Sequence, residues 1–360
     1  MYKRLFLLSF ITLFLHNTSY PITQEVSIVH YLQNNMHNLE ATWSMINNAK
    51  KITLLGHHKP DGDAISSTTA LSIYLESMGK EIEVIYPNAI NVPVKKLPKK
   101  YYINKHEQHP DLLIACDTAN YARIYPFKKH FPNTPVINID HHGSNEFYGI
   151  YNFVVKDASS CCEVLYEIMK LWNPQMISKE ILEVLLYGIL TDTNVLRNQA
   201  THPSTFRVVS EITKADINFY ELQQEYLADK NAQEINLWGK LLKRVKDNKN
   251  KTIAWTYITQ DDLENLQMSC IEGLVNFLNA RLKTDIIILI REPAITTKSV
   301  IKTTLSIRTK KTNANLLAKS LAKHIGNTTG GGHAIRAGMQ SEEPTHIVIE
   351  KVTSFCKAYA

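Results

Sequence analysis

The stretch GHHKPDGDA, residues 56–64, constrains this chain more than any other. It follows a short apolar run, Ile52-Thr53-Leu54-Leu55, and precedes apolar residues at helical spacing, Ile65, Leu71, Leu75 and Met78. His57, Asp61 and Asp63 therefore sit on a turn that leads from a strand into a helix. Carboxylates this dense repel one another, and a divalent cation is the natural neutraliser. Taken alone, Pro-Asp-Gly-Asp is also a plain solvated turn, so the reading depends on the rest of the chain.

From about Leu39 to Asp192, short apolar runs alternate with amphipathic segments. Residues 52–55, 82–86, 112–116 and 136–139 read as strands. Residues 64–78, closed by Gly79, and residues 160–171 and 179–190 read as helices. Such alternation predicts an α/β domain, a parallel sheet with helices on both faces. Residues 203–244 are polar and helix-compatible, with no strand signal. Strands over 252–257, 286–291 and 299–308, a helix over 315–324 and a glycine-rich loop, TGGGH, then predict a second, smaller α/β domain. The expected organisation is a leader over 1–38, a first domain over 39–214, a helical linker over 215–245 and a second domain over 246–355. A cleft is expected between the two domains.

A chain of 360 residues is long enough for two domains. Its net charge of +6 suits an anionic partner, but no block of like charge resembles a nucleic-acid-binding tail. The five cysteines, an odd count with Cys161 and Cys162 adjacent, form no Cys-x-x-Cys. That pattern fits a reducing compartment, the cytoplasm, and argues against a thiolate zinc site. The start of the chain points elsewhere: Lys3 and Arg4 precede LFLLSFITLFL, residues 5–15. This is signal-peptide form, too short to span a bilayer comfortably, and no small-x-small cleavage site follows. Export or membrane attachment through residues 3–15 is the alternative to a cytoplasmic location.

In an open parallel sheet, ligands gather at the carboxyl ends of the strands. Here the run LLIAC ends in Asp117, the run VINI ends in Asp140-His141-His142, and a helix ends in Thr191-Asp192. Each has an ordinary explanation by itself, a helix cap for either aspartate or a surface histidine. Four segments that all deliver carboxylate or imidazole to one sheet edge argue together for metal. Oxygen and nitrogen donors without thiolate favour Mn²⁺, with Mg²⁺, Co²⁺ or Fe²⁺ as substitutes. His57, Asp61, Asp63, Asp117, His141 and Asp192 exceed the needs of one ion. With Asp117 as a bridge they make two coordination sets, the arrangement of phosphoryl-transfer hydrolases.

These motifs in this order resemble the DHH phosphoesterase superfamily, whose name-giving triplet is Asp140-His141-His142. The segment TGGGHAIRAG, residues 329–338, resembles the glycine-rich signature of the DHH-associated C-terminal domain. The resemblance implies that His57 and Asp61 bind one metal, that Asp63, His141 and Asp192 bind the other, and that Asp117 bridges them. It implies that His142 faces the scissile phosphate and that Asp140 orients the histidines. In the second domain it implies substrate binding by Arg308, Ser306, Gly330, Gly331, Gly332 and His333, with Arg197 and Arg336 as weaker candidates. Two departures stand out: Asn194 and Leu196 follow the Thr-Asp-Thr motif where the family usually has glycine and an aromatic, and Arg336 replaces a small residue.

Length and two-domain layout resemble the nanoRNase and pAp-phosphatase group. That implies hydrolysis of short oligoribonucleotides to mononucleotides and of the 3′-phosphate of adenosine 3′,5′-bisphosphate. Partners would be short single-stranded RNA or nucleotides, without a stable protein partner, although a homodimer is compatible. Membrane contact would require a retained leader. The alternatives are a cyclic or linear dinucleotide phosphodiesterase in signalling and an inactive nucleotide-binding regulator. The complete donor set speaks against the last.

Overall fold

The computed structural model describes residues 28–90, 96–227, 231–263, 266–271, 273–293, 301–332 and 334–359. The leader segment 3–15 and His333 lie outside the described residues. The chain divides into two compact units, Met1–Asp229 and Lys230–Ala360.

The first unit runs α1 (Ile28–Asn34), α2 (Met36–Asn48), β1 (Lys51–Leu55), α3 (Gly62–Ser77), β2 (Glu81–Tyr86), β3 (Tyr101–Ile103), β4 (Leu112–Cys116), α4 (Tyr121–Lys128), β5 (Val136–Asp140), β6 (Tyr151–Val154), α5 (Cys161–Trp172), α6 (Lys179–Asp192), α7 (Pro203–Thr213) and α8 (Phe219–Leu227). The strands pair in parallel in the order β3-β2-β1-β4-β5-β6. The order reverses between β1 and β4, so the loops leaving these strands diverge and open a crevice there. Strand residues alternate between two cores. Ile52, Leu54, Val84, Ile114 and Ile139 pack under α1 to α3 and α5 to α8, while Leu55, Ile85, Leu113 and Val136 pack against Ile124 and Phe127 of α4. Helices therefore cover both faces, as the alternation predicts.

Helix α3 is almost wholly buried, and its central residues are small: Ser66, Ser67, Thr68, Thr69 and Ala70. They let α6 approach closely. A Cβ on Gly62 would lie 2.5 Å from the Thr191 side chain, and one on Gly188 would lie 2.3 Å from Cys162 Sγ. The start of α3 and the end of α6 thus interlock with no room for a methyl group.

The second unit runs α9 (Ala232–Lys243), β7 (Lys246–Asp247), β8 (Ile253–Ile258), α10 (Gln260–Leu263), α11 (Leu274–Arg281), β9 (Ile286–Arg291), β10 (Thr303–Thr309), α12 (Ala314–Ile325), β11 (Thr328–Gly332), β12 (Arg336–Ser341) and α13 (Thr345–Ala358). Its sheet is mixed, in the order β11-β12-β10-β9-β8-β7, with only β8 and β9 parallel. Ile288, Ile290, Leu305 and Ile307 face a core under α12 and α13, and Ala254, Ile287 and Leu289 face one under α9 and α11. The glycine run differs from the expected loop: Gly330, Gly331 and Gly332 belong to edge strand β11. Close packing explains their type, since a Cβ on Gly330 would meet Met339 at 2.6 Å and one on Gly332 would meet the Arg336 carbonyl at 2.4 Å.

Within the expected linker 215–245, Leu222 joins the first unit's core, and Leu237 and Leu241 join a core of the second. No described helix is long and apolar enough to cross a membrane.

Candidate metal centre

All six donors predicted to bind metal meet at the carboxyl edge of the first sheet. They fall into two groups. His57, Asp61 and Asp117 place ligand atoms within 4.8 Å of one another, and so do Asp63, His141 and Asp192. Asp117 lies between them. Its Oδ2 is 3.3 Å from His57 Nε2, and its Oδ1 is 3.5 Å from His141 Nε2. His141 Nε2 is also 3.3 Å from Asp192 and 3.9 Å from Asp63.

Local structure fixes each donor. Asp61 is the N-cap of α3, accepting from the Ala64 N–H at 3.1 Å. Asp63, the second residue of α3, points into the N-terminus of α5. There the Cys161 and Cys162 N–H groups donate to its two oxygens at 2.7 and 3.0 Å. The helix dipole favours that buried negative charge. Asp192 is brought alongside by the α3–α6 interlock at Gly62 and Gly188; a Cβ on Gly188 would also sit 3.2 Å from Asp63 Oδ1. Asp117 has φ +52°, a left-handed conformation that is strained for a residue with a side chain.

The imidazoles are aimed by their other nitrogens. His57 Nδ1 lies 2.8 Å from the His58 carbonyl and His141 Nδ1 lies 3.3 Å from the Ala158 carbonyl, so each Nε2 faces carboxylate. His142 is oriented differently: its Nδ1 is 2.8 Å from Asp140 Oδ1, which leaves Nε2 directed away from Asp140. The fully buried Asp140 also accepts the His141 N–H at 2.8 Å, and its Oδ2 accepts from Asn145 at 2.6 Å.

The electrostatics call for positive charge. Burial works against charging His57, yet the Asp117 and Asp61 carboxylates push it up to about 10. Burial likewise opposes charge on His141, which Asp117, Asp63 and Asp192 nonetheless raise well above its ordinary value. Burial and the neighbouring Asp117 and Asp192 charges lift Asp63 far above the carboxylate range; burial lifts Asp192 to about 6. Buried Asp117 Oδ1 has no hydrogen-bond partner, a costly state that a cation would relieve. The donor set, carboxylate and imidazole without thiolate, suits hard to borderline divalent ions.

Of the predicted substrate residues of the second unit, Ser306 and Arg308 alternate on β10 with the buried Leu305 and Ile307, and so point away from the core under α12 and α13. Ser306, Gly330 and Gly331 line a cavity of about 490 Å³ with Arg291, Thr304 and Gly338. Arg308 is across the strand pair from Arg336 and donates to Asn276 at 3.0 Å. Burial, together with the charges of Arg336 and Arg291, depresses its pKa. Gly332 ends β11, its N–H donating to Asn315 Oδ1 at 3.2 Å. Arg197 is an exposed residue of the loop after α6.

Sequence reasoning missed Asn145, the α5 amides that hold Asp63, and Arg291. Ser160 caps α5 and Glu163 follows three residues later, which signals a helix start; nothing in that signal names the carboxylate the helix receives.

Comparison with known proteins agrees with this architecture. Residues 51–189 match the DHH family, N-terminal domain, and residues 250–359 match the DHHA1 domain. A bifunctional oligoribonuclease and PAP phosphatase, NrnA, of Thermus thermophilus is 27% identical over 80% of this chain and 83% of its own length. A probable manganese-dependent inorganic pyrophosphatase of Streptococcus thermophilus is 24% identical over 48% of this chain and 57% of its own. Among solved structures, an exopolyphosphatase-related protein from Bacteroides fragilis superposes with a TM-score of 0.78 at 22% identity, covering 90% of this chain and 96% of that one.

Proposed function

We infer the reaction from one premise: this chain belongs to the DHH phosphoesterase family, both of its units matching that family's domains. It is a hydrolase of phosphate esters. We propose that it cuts short oligoribonucleotides to mononucleotides and removes the 3′-phosphate of adenosine 3′,5′-bisphosphate. The name of the Thermus relative supports that substrate class.

One observation carries the reading. Asp117 stands between a His57–Asp61 group and an Asp63–His141–Asp192 group. In our reading each group would hold one divalent ion, manganese, and Asp117 would contribute to both. When bound, the ions supply Lewis acidity to the phosphate and make water acidic enough to act as nucleophile near neutral pH. The chain does the rest. Asp63, fixed by two backbone N–H groups, and Asp117, fixed in a strained backbone, keep the ligand geometry from relaxing. Asp140 holds His142 by Nδ1, so that Nε2 can donate to a non-bridging phosphate oxygen and stabilise the charge that grows there.

The second unit carries residues suited to an anionic ligand on its own sheet. Arg308 offers a planar fork for phosphate. Ser306 and the small Gly330, Gly331 and Gly332 allow the ligand close to the sheet, and His333 would contact phosphate or base. The test is a substrate panel with manganese supplied: di- to pentanucleotides, and adenosine 3′,5′-bisphosphate. Mononucleotide from the oligomers and phosphate from the bisphosphate are expected. Turnover of inorganic pyrophosphate alone would refute the reading.

A further inference from the structure

The loops that leave β4 and β5 carry more than metal ligands. The loop after β5 and the helix α4 that follows the β4 loop display aromatic rings to solvent: Tyr121 is 38% exposed, Tyr125 53% and Phe147 49%. Scattered exposed aromatics are ordinary. These are bound into the active edge. Phe147 sits at φ +53°, a conformation that bulky residues seldom adopt. Asn145 holds it there, accepting the Phe147 N–H on Oδ1 at 2.7 Å. The same Asn145 donates from Nδ2 to Asp140 Oδ2, and Asp140 holds His142. An unbroken chain of hydrogen bonds thus indexes the Phe147 backbone to His142.

The second loop is indexed in the same way to Asp117. Tyr148 donates its hydroxyl proton to the carbonyl of Thr118, the residue after Asp117, at 2.8 Å. Its ring is 6.0 Å from that of Tyr121, which in turn is 6.0 Å from that of Tyr125. The loops are zipped together: Glu146 N–H donates to the Ala119 carbonyl at 2.8 Å, and Glu146 accepts the Tyr121 N–H at 2.9 Å. Lys156 Nζ is 5.9 Å from the Phe147 ring centre, and Arg123 is exposed two residues along α4 from Tyr121.

Exposed π-faces beside basic side chains are the chemistry that receives a nucleobase joined to a phosphodiester. We propose that Phe147 and Tyr121 form a stacking ledge for the base of the nucleotide flanking the scissile phosphate. The strain at Phe147 is then functional, holding a ring in water, where packing alone would have folded it inward. This inference rests on the phosphoesterase reading and deepens it: the first unit selects for a base as well as a phosphate ester.

The test compares a 2-aminopurine dinucleotide with the same sugar-phosphate lacking that base, on the full chain with manganese. Stacking quenches 2-aminopurine fluorescence on binding. Phe147→Ala and Tyr121→Ala should each relieve the quench and lower kcat/KM for the dinucleotide about tenfold. They should leave turnover of the abasic substrate unchanged, and Phe147→Trp should retain both properties. Equal losses on both substrates, or no loss on either, would overturn the ledge. A parent protein that cleaves the abasic substrate as fast as the dinucleotide would also overturn it. Quenched binding that depends on Phe147, without any cleavage, would sink the phosphoesterase reading and keep the ledge. Cleavage indifferent to both rings would do the reverse.

Discussion

The two sheets of this protein gather charge of opposite sign by different means. In the first, carboxylates far apart in sequence converge from strand-end loops, a helix start and a helix end at the carboxyl edge of a parallel sheet. In the second, Arg308 and Arg336 face each other across two antiparallel strands, and Arg291 on the neighbouring strand donates to Ser306 at 3.0 Å. The centre of the first arrangement is buried and strained, with Asp117 only 2% exposed. The second lies on an open face shaped by small residues. Buried convergence suits chemistry, where charges must be fixed; an open cationic face suits binding, where ligands must come and go. In kinetic terms, the first sheet should govern kcat and the second KM.

Asp117→Asn is the sharpest way to break that division. It keeps the shape and removes the charge shared by the two groups. Turnover of a dinucleotide with manganese should fall by about a thousandfold or more, as losses of key electrostatic groups do, while nucleotide affinity measured by calorimetry stays within about threefold. Surviving activity would refute the shared role. Arg308→Ala should do the converse. Loss of a charge-assisted hydrogen bond to phosphate raises KM by about ten- to a hundredfold with kcat little changed. Arg308→Lys should restore only part of it, because an ammonium cannot reproduce the planar fork. A pure kcat defect would show that the second sheet takes part in chemistry.

A smaller effect tests how the first centre is assembled. Gly188→Ala puts a methyl group where Cys162 Sγ, Ser66 Cβ and Asp63 Oδ1 stand at 2.3, 2.9 and 3.2 Å. Overpacking of this kind costs about 1–3 kcal/mol of stability. Asp63 and Asp192 should also separate, so manganese affinity, read by electron paramagnetic resonance of the free ion, should drop about tenfold, in the range of losses at supporting residues. Thermal destabilisation with unchanged metal affinity would mean that the α3–α6 interlock holds the fold without setting the site.

These interlocks mark the limit of what the sequence discloses. The strands at 52–55, 82–86, 112–116 and 136–139 were legible because each is a short apolar run between polar breaks, and each lies within one residue of the observed strand ends. His57, Asp117 and His141 drew notice as candidate donors because they follow those runs within two residues, whereas Asp192 stands at the end of a helix. Tyr101–Ile103 escaped notice since it is three residues long and mostly exposed. Helix α4 escaped because Pro126 lies inside it. The glycines at 330–332 read as a loop because no apolar side chain marks β11; the need there is for room against β12. At Asn194 and Leu196, φ values of +49° and +58° show that the chain keeps a left-handed turn where glycine is the unstrained choice. Asn145 carries no sequence signal at all, since its role is a contact with Asp140 that only the folded loop creates.

The smallest effect concerns the second unit alone. Asp262 is buried among Arg244, Lys240 and Thr259: Arg244 grips both its oxygens, Lys240 Nζ is 3.0 Å away, and the Thr259 N–H donates at 3.0 Å. Burial works against its charge, but these partners hold its pKa well below the usual carboxylate range. A carboxyl depressed in the folded state contributes stability that is complete above its unfolded value, about 4, and is lost as pH falls towards the folded value. Asp262→Asn should therefore lower stability at pH 7 by about 1–3 kcal/mol, the loss of charged hydrogen bonds. It should also flatten the acid limb, so that the gap between the melting temperatures of parent and variant narrows as pH falls from about 4 towards 3. Parallel curves down to that pH would show that Asp262 takes no part in the acid sensitivity of the second unit. Because the metal groups lie wholly in the first unit, the same substitution should leave manganese affinity unchanged. That would make Asp262 a measure of the second sheet's stability that is independent of the chemistry at the first.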